Sequence, residues 1–381
     1  MMALSRHKNA ICQPKGFEAA ALACGLKKNK ALDLALIYSE VPAIACGAFT
    51  KNSLSAYPVA VCKEHLKTHR AQAIVVNSAN ANCHTGKKGF WVAKETTRLA
   101  GKLLGLKETD VLVASTGIIG RQLDFAKIRN GLPLLAAGLN RKGGEETARA
   151  IMTTDTRPKE GVVKINIGNK AVAIGAIAKG AGMIAPDMAT MLCFIATDAA
   201  IEYSALASAL KAAVDSSFNM ISIDGCPSTN DSVIILANGL AGNKTIEIGN
   251  SSFSKFKAAL KEICLDLAKM IVADAEGATK FITIKVISAK NDVEAKTAAL
   301  AIANSNLFKT AVYGENRNLG RIAAAVGACG VEVKENLRIR CSDLKKNNIT
   351  IDVDLKVGCG KATVYTSDLT PEYVRINAGY N

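Results

Sequence analysis

Strand-like apolar runs alternate with segments of helical spacing along all 381 residues, and no Pro/Ser-rich linker or low-complexity block interrupts them. Strands are expected at Ala71–Asn77, Val111–Ser115, Val162–Ile167, Ala171–Ala178, Leu192–Thr197, Ser232–Ala237, Phe281–Ser288 and Ile349–Leu355. Phe253, Phe256, Leu260, Ile263, Leu267, Met270 and Ile271 recur at three- and four-residue steps, which puts them on one face of an amphipathic helix. Ala205–Ser216 and Asp292–Ser305 read the same way. The strand runs cluster at 162–178 and 192–197 instead of following strict βαβ alternation. An α/β fold of layered mixed sheets covered by helices is therefore expected, ahead of a single doubly wound parallel sheet. With only 5% aromatic residues, its core must be filled mainly by Ala, Val, Ile and Leu.

The formal charge of +15 could serve nucleic acid, an acidic surface or small anions. Its lysines lie scattered in twos and threes, with no aromatic residues interleaved to stack bases, so nucleic acid is not expected as a partner. No run of eighteen apolar residues occurs, and Met1–Pro14 lacks the apolar stretch of a secretory signal. A cytoplasmic chain with no membrane contact is expected. Its eleven cysteines form no C-x-x-C pair and read as reduced thiols that pack the interior.

Several chemistries lack their residues. The four histidines (His7, His65, His69 and His84) all fall in the first quarter, leaving little for a Ser-His-Asp triad. His65 and His69 could share a face of a lysine-rich surface helix, but no H-E-x-x-H or carboxylate cluster completes a zinc set, so no metal is expected. A phosphate-binding P-loop is absent. Gly180-Ala181-Gly182 approaches a dinucleotide fingerprint, yet Pro186 and another strand-like run follow where a helix is needed.

A glycine-rich turn from Lys179 to Met183 leads into Ala189-Thr190 at the head of an apolar run. Thr190 reads either as an ordinary β-branched strand residue or as a hydroxyl that attacks the preceding carbonyl and becomes a new chain start. In the second reading the freed α-amine, with a reference pKa of roughly 7.7–8.0, replaces the missing histidine as base. Ser115-Thr116-Gly117 follows a strand and reads either as a turn or as a place where a hydroxyl and a backbone N–H meet an oxyanion.

Read in order, nine segments resemble the ornithine acetyltransferase (glutamate N-acetyltransferase) family across nearly the whole chain. They are Pro14-Lys15-Gly16-Phe17; Val75 to Asn82; Ala114-Ser115-Thr116-Gly117; Met152-Thr153-Thr154-Asp155-Thr156; Lys179 to Met183; Met188 to Leu192; Ser228-Thr229-Asn230-Asp231; Glu276-Gly277-Ala278-Thr279-Lys280; and Arg375-Ile376-Asn377-Ala378. The resemblance implies two mixed β-sheets sandwiched between α-helices, of the DmpA-like, N-terminal-nucleophile type. It implies cleavage between Ala189 and Thr190 into an α chain (1–189) and a β chain (190–381) that assemble as an α2β2 heterotetramer. Thr190 would be the nucleophile, Thr116 and Gly117 the oxyanion hole, and Thr153, Lys179, Thr190, Glu276 and Asn377 the substrate contacts. The implied reaction is ping-pong transfer of acetyl from N-acetylornithine to glutamate, giving ornithine and N-acetylglutamate in arginine biosynthesis. No cofactor is implied, and acetyl-CoA is left open as a co-substrate.

Some positions depart from the family pattern: Ala79 where Gly is frequent, Asp187 where Asn is frequent, Cys226-Pro227 for Asp-Thr, Leu319 for Trp, and a tail ending at Asn381 in place of Thr or Ser. Ala79 and Asp187 are expected to lie away from the chemistry, whereas the tail bears on substrate selectivity. The rival reading is an amidohydrolase or aminopeptidase of the same architecture, with water as the acceptor.

Overall fold

A computed structural model describes residues 8–185 and 191–379. Its strands are β1 (Phe17–Leu22), β2 (Leu34–Phe49), β3 (Arg70–Asn77), β4 (Val111–Ser115), β5 (Lys159–Ile167), β6 (Lys170–Lys179), β7 (Leu192–Thr197), β8 (Ser232–Ala237), β9 (Phe281–Ala289), β10 (Arg338–Cys341), β11 (Asn348–Asp354) and β12 (Gly360–Ser367). The helices are α1 (Tyr57–His65), α2 (Gly86–Leu104), α3 (Phe125–Ala137), α4 (Gly144–Ala150), α5 (Tyr203–Asp215), α6 (Ser251–Ala273), α7 (Asp292–Ala303), α8 (Asn306–Tyr313), α9 (Leu319–Gly327) and α10 (Pro371–Ala378). Every strand expected from the sequence is present, three of them end to end. Four more (β1, β2, β10 and β12) had no clear sequence signal.

The chain divides into two compact units. The first, Met1–Gly180, Thr190–Ser217 and Ser228–Leu267, carries an eight-stranded mixed sheet in the order β4-β3-β2-β8-β7-β6-β5, with β1 paired to β2. β3 runs parallel to β4 and β7 to β8, while the remaining pairs are antiparallel. Strand β2 is the pivot. Its first half pairs with β1 and β3, its last six residues pair with β8, and the register breaks between Tyr38 and Ala43, where Pro42 cannot donate to a ladder. Alternate residues of both halves (Ile37, Ile74 and Leu112 from one, Ile177, Phe194 and Ile234 from the other) fill a single core. The sheet thus folds across β2 and packs on itself. The opposite face of the first half, with Leu36, Ala73 and Val75, is covered by Val92 of α2 and by Ile128 and Leu132 of α3.

That fold-over brings the end of β4 to the start of β8. Asn230, just before β8, donates its amide to Ser115 O (2.8 Å) and to Ala81 O (2.6 Å). Helix α6 follows the hydrophobic spacing read from the sequence, and Ile263 on it lies against the backbone at Gly161 of β5.

The second unit, Ala181–Ala189, Phe218–Pro227 and Ala268–Asn381, is built on a four-stranded mixed sheet, β10-β11-β9-β12, in which β9 and β11 are parallel. Helix α7 packs its alanine face (Ala295, Ala298, Ala299) and Ile302 against Ile282, Ile284 and Val364 of the sheet. Within this unit Ile223 N–H donates to Ile184 O (2.8 Å) and Ser222 N–H to Tyr365 O (3.1 Å), fastening 181–185 through 218–227 to the sheet edge. The expectation of two mixed sheets with helices holds.

The surface-helix reading of the histidines is corrected. His65 ends α1 fully buried, its Nδ1 2.8 Å from Val111 O, because α1 lies across β4 and the imidazole is the polar group that meets the strand end. His69 follows in left-handed backbone (φ 57°) and stacks on Tyr203 with ring centroids 3.5 Å apart, so the two share no helix face. All eleven cysteines are free thiols, and six of them are buried, in keeping with the packing role expected.

Candidate active site

Two polar clusters arise, one in each unit. In the first, the parallel strands β3 and β4 end side by side at Asn77 and Ser115. Ser115 Oγ donates to Asn77 Oδ1 (2.6 Å), Thr116 N–H to Asn77 O (3.0 Å) and Ile118 N–H to Ala79 O (3.3 Å). The two chains leave the sheet in such close contact that a Cβ on Gly117 would fall 2.2 Å from the Ala79 carbonyl carbon. Gly117 also has φ +131°, a region L side chains avoid, so this turn requires glycine. Its N–H donates to no described residue.

Ala79 is not remote from this turn. It forms the wall behind Gly117, and it takes φ 74° without being glycine. The expectation that a residue here lies away from the proposed chemistry is corrected on that ground.

Lys179, the last residue of β6, reaches across with an almost fully buried side chain. Its ammonium donates to Thr153 Oγ1 (2.7 Å) and Thr116 Oγ1 (3.4 Å) and lies 3.9 Å from Asp155 Oδ2. Asp155 is the hub. Its carboxylate pairs with Lys159 Nζ (2.7 Å) and accepts Gly180 N–H (2.7 Å) and Thr153 N–H (3.0 Å). Burial alone would raise its pKa, but the charges of Lys179 and Lys159 and these hydrogen bonds outweigh that and hold it well below the usual carboxylate range.

Asp231 closes this cluster on the side of β7 and β8. It is fully buried, and its Oδ1 accepts Met191 N–H (3.1 Å). Among the described residues its Oδ2 has no hydrogen-bond partner within the usual distance and angle limits. Burial pushes this carboxyl well above the usual range, against the weaker pull of the Met191 N–H, the Ser228 hydroxyl and the Lys179 charge. Two buried aspartates of one cluster are thus driven in opposite directions.

In the second unit the loop after α6 carries Glu276. Asp368 accepts Thr279 N–H (2.9 Å), Thr279 Oγ1–H (2.5 Å) and Lys280 N–H (3.0 Å), while the Thr370 hydroxyl, which caps α10, donates to Gly277 O (2.7 Å). So fastened, Glu276 Oε2 accepts the Asn377 side-chain amide (2.8 Å) from α10. Gly182 lies against the same carboxylate, where a Cβ would fall 2.4 Å from Oε2. Asp224 accepts Met183 N–H (2.6 Å), Ile184 N–H (2.9 Å) and Tyr373 O–H (3.1 Å).

The structure therefore brings together Thr116, Gly117, Thr153 and Lys179 in one unit, and Glu276 with Asn377 in the other. Ala189, Thr190, Asp187 and Asn381 lie outside the described residues. Sequence reasoning missed the roles of Asp155, Lys159, Asp231 and Asp224. Asp155 and Asp231 stood inside quoted motifs, but nothing in their spacing distinguished a charge hub from a turn residue. Among the described residues no group of His, Cys, Asp or Glu side chains is arranged to hold a metal ion, and no helix is long and apolar enough to cross a membrane.

An α/β protein whose mixed sheets present hydroxyls and a buried ammonium at their strand ends has the groups that suit the binding of anions. The model of the ArgJ family matches residues 18–345 and 338–381. A Geobacter sulfurreducens protein named arginine biosynthesis bifunctional protein ArgJ is 45% identical over 388 residues, covering 96% of this chain and 99% of its own. A protein of the same name from Caldanaerobacter subterraneus is 45% identical, covering 96% and 97%. A Methanocaldococcus jannaschii protein named glutamate N-acetyltransferase is 44% identical, covering 97% and 98%. The chain belongs to the ArgJ family, and it is an acetyltransferase enzyme of arginine biosynthesis.

Proposed function

We propose that this enzyme cuts itself between Ala189 and Thr190 and then carries acetyl from N-acetylornithine to glutamate as an ester on Thr190. The observation that supports the reading is the Thr116 hydroxyl, 3.4 Å from the Lys179 ammonium at the end of β4, beside Gly117, whose N–H donates to no described residue. Two donors fixed by a turn that only glycine permits are what a developing oxyanion requires. The names of the relatives, ArgJ and glutamate N-acetyltransferase, supply the substrate class.

In this mechanism the Thr190 hydroxyl attacks the acetamide carbon while its proton passes to the enzyme's own α-amine, the base that compensates for the absence of a histidine here. Gly117 N–H and Thr116 Oγ–H hold the oxyanion. Its collapse expels ornithine, which takes the proton from the α-ammonium, and the glutamate amine then attacks the ester and reverses the sequence. Lys179 with Thr153 suits a substrate carboxylate, and Glu276 with Asn377 suits an ammonium. No cofactor enters these steps. Acetyl-CoA as a second acetyl donor fits the word bifunctional in the relatives' names. Residues 1–189 and 190–381 would be the two chains of an α2β2 assembly in the cytoplasm.

Intact-mass spectrometry under denaturing conditions tests the cleavage: two fragments meeting at Ala189/Thr190 are expected from the parent and one chain from Thr190→Ala. An uncut parent would sink the mechanism. Hydrolysis is the second outcome to separate. If N-acetylornithine were consumed equally fast with and without glutamate, the enzyme would be an amidohydrolase and not a transferase.

A further inference from the structure

Both partners of the Glu276–Asn377 contact are tied to one stretch of chain. Glu276 N–H donates to Ala181 O (2.9 Å). From the other side, Tyr373 O–H donates to Asp224 Oδ2 (3.1 Å), and the Asp224 carboxylate accepts Met183 N–H (2.6 Å) and Ile184 N–H (2.9 Å), so helix α10 is moored to residues 181–184 as well. Burial and the Asp224 charge raise the phenol's pKa above its ordinary value, which keeps it a donor. One turn further along α10, Asn377 Nδ2 donates to Tyr373 O (3.0 Å) and to Glu276 Oε2 (2.8 Å). A backbone carbonyl and a carboxylate can only accept, so the Asn377 nitrogen is taken up by these two bonds and Oδ1 is left as an acceptor. Gly182 covers one face of the same carboxylate, where a Cβ would fall 2.4 Å from Oε2 and 2.7 Å from Oε1. Among the described residues none donates to Glu276 Oε1 or to Asn377 Oδ1. A guanidinium is held best by two parallel N–H···O bonds to both oxygens of a carboxylate, whereas an ammonium is a compact charge that single oxygens satisfy.

We propose that Tyr373 is a positioning residue that sets the charge class of the side chain this site takes. By holding the Asn377 amide on Oε2, it denies the carboxylate's second oxygen to a guanidinium and leaves single acceptors for the primary ammonium of an ornithine-type side chain. The inference rests on the proposed reading of Glu276 as the group that meets the substrate ammonium.

The test assays the purified full-length enzyme for acetyl transfer to glutamate from N-acetylornithine and from N-acetylarginine, and compares the ratio of the two kcat/KM values across variants. Asn377→Ala, which frees Oε2, should lower the ratio at least ~10-fold. Tyr373→Phe removes only the phenol's bond to Asp224 and should lower it roughly three- to tenfold, the scale of one net hydrogen bond, with KM for N-acetylornithine rising and kcat within about twofold of the parent. A role confined to stability scales both donors alike on one preparation and leaves the ratio where it was. Glu276→Gln separates the two readings. If it leaves KM for N-acetylornithine unchanged, Glu276 does not meet the ammonium and both readings fall. If it raises that KM while either of the other variants keeps the parent's ratio, the positioning role is overturned and the ammonium reading stands. Where the parent does not use N-acetylarginine at all, a variant that gains no use of it counts as unchanged.

Discussion

At Asp155, one carboxylate neutralises two buried ammonium groups and also fixes the backbone of Gly180 and Thr153. Removing one partner of a buried ion cluster leaves the others uncompensated, which typically costs about 3–5 kcal/mol. Asp155→Asn is expected to lose that much in urea denaturation at neutral pH. The pH dependence has a definite sign. The folded-state pKa lies below the unfolded value of about 3.9, so the carboxylate's contribution is complete above that pH and fades as pH falls below it. The gap between parent and variant should accordingly narrow below about pH 4, and a constant gap would count against the ionised hub. At Ala79 the prediction runs the other way. A non-glycine residue at φ 74° carries steric strain of about 1–2 kcal/mol, offset in part by the lower chain entropy of alanine, so Ala79→Gly should stabilise by roughly 0.5–1 kcal/mol. An unchanged melting midpoint would refute the strain. Asp155 and Ala79 show why the residue scale was partly illegible from sequence: Lys179 and Thr153 were reached through resemblance, but a carboxylate's burial and a backbone's handedness depend on neighbours far away in the chain.

Regular elements were legible where one pattern ran unbroken, as in α6 and in β4, β7 and β8. β2 escaped because its two halves face different partners, and Glu40, Pro42 and Gly47 interrupt its alternation. A strand that changes partners midway has no single period to read. β12 was missed for a related reason, since its bulge between Gly360 and Ala362 shifts the face on which side chains fall. The loop from Glu276 to Lys280 is an element of another kind, irregular but held by Asp368, whose carboxyl takes three donors while nearly excluded from water. Asp368→Ala strands those donors, and hydrogen bonds to a charged group being worth about 1.5–3 kcal/mol each but not additive, a loss on the order of 3 kcal/mol is expected. In the proposed mechanism Glu276 holds the substrate ammonium, so KM for N-acetylornithine should rise more than kcat falls. Equal loss of both, with stability unchanged, would show that Asp368 does not act through this loop.

For the molecule as a whole, the sequence predicted a mixed α/β architecture because strand runs clustered out of strict alternation, and the fold answers with an eight-stranded and a four-stranded mixed sheet in two units. It could not place segments 181–189 and 218–227 in the same unit as the C-terminal sheet, because that grouping depends on pairing across long stretches of chain, such as Ser222 with Tyr365. Net charge, in contrast, needs no fold to be read. With 48 basic against 33 acidic residues, the chain carries a field that draws anions from a distance, whereas the buried Lys179 acts only on contact. The two contributions separate by salt. Surface fields are screened beyond about 10 Å at 0.1 M ionic strength, while a desolvated ammonium is shielded far less. In the proposed reaction glutamate is the anionic acceptor, so raising salt from roughly 0.01 to 0.3 M should lower kcat/KM for glutamate several-fold through KM, with kcat held constant. Lys179→Met should instead depress kcat/KM at every salt concentration while keeping the same slope. A parent whose kcat/KM ignores salt would mean that the surplus charge serves some other end, and that capture of the acceptor depends on the buried cluster alone.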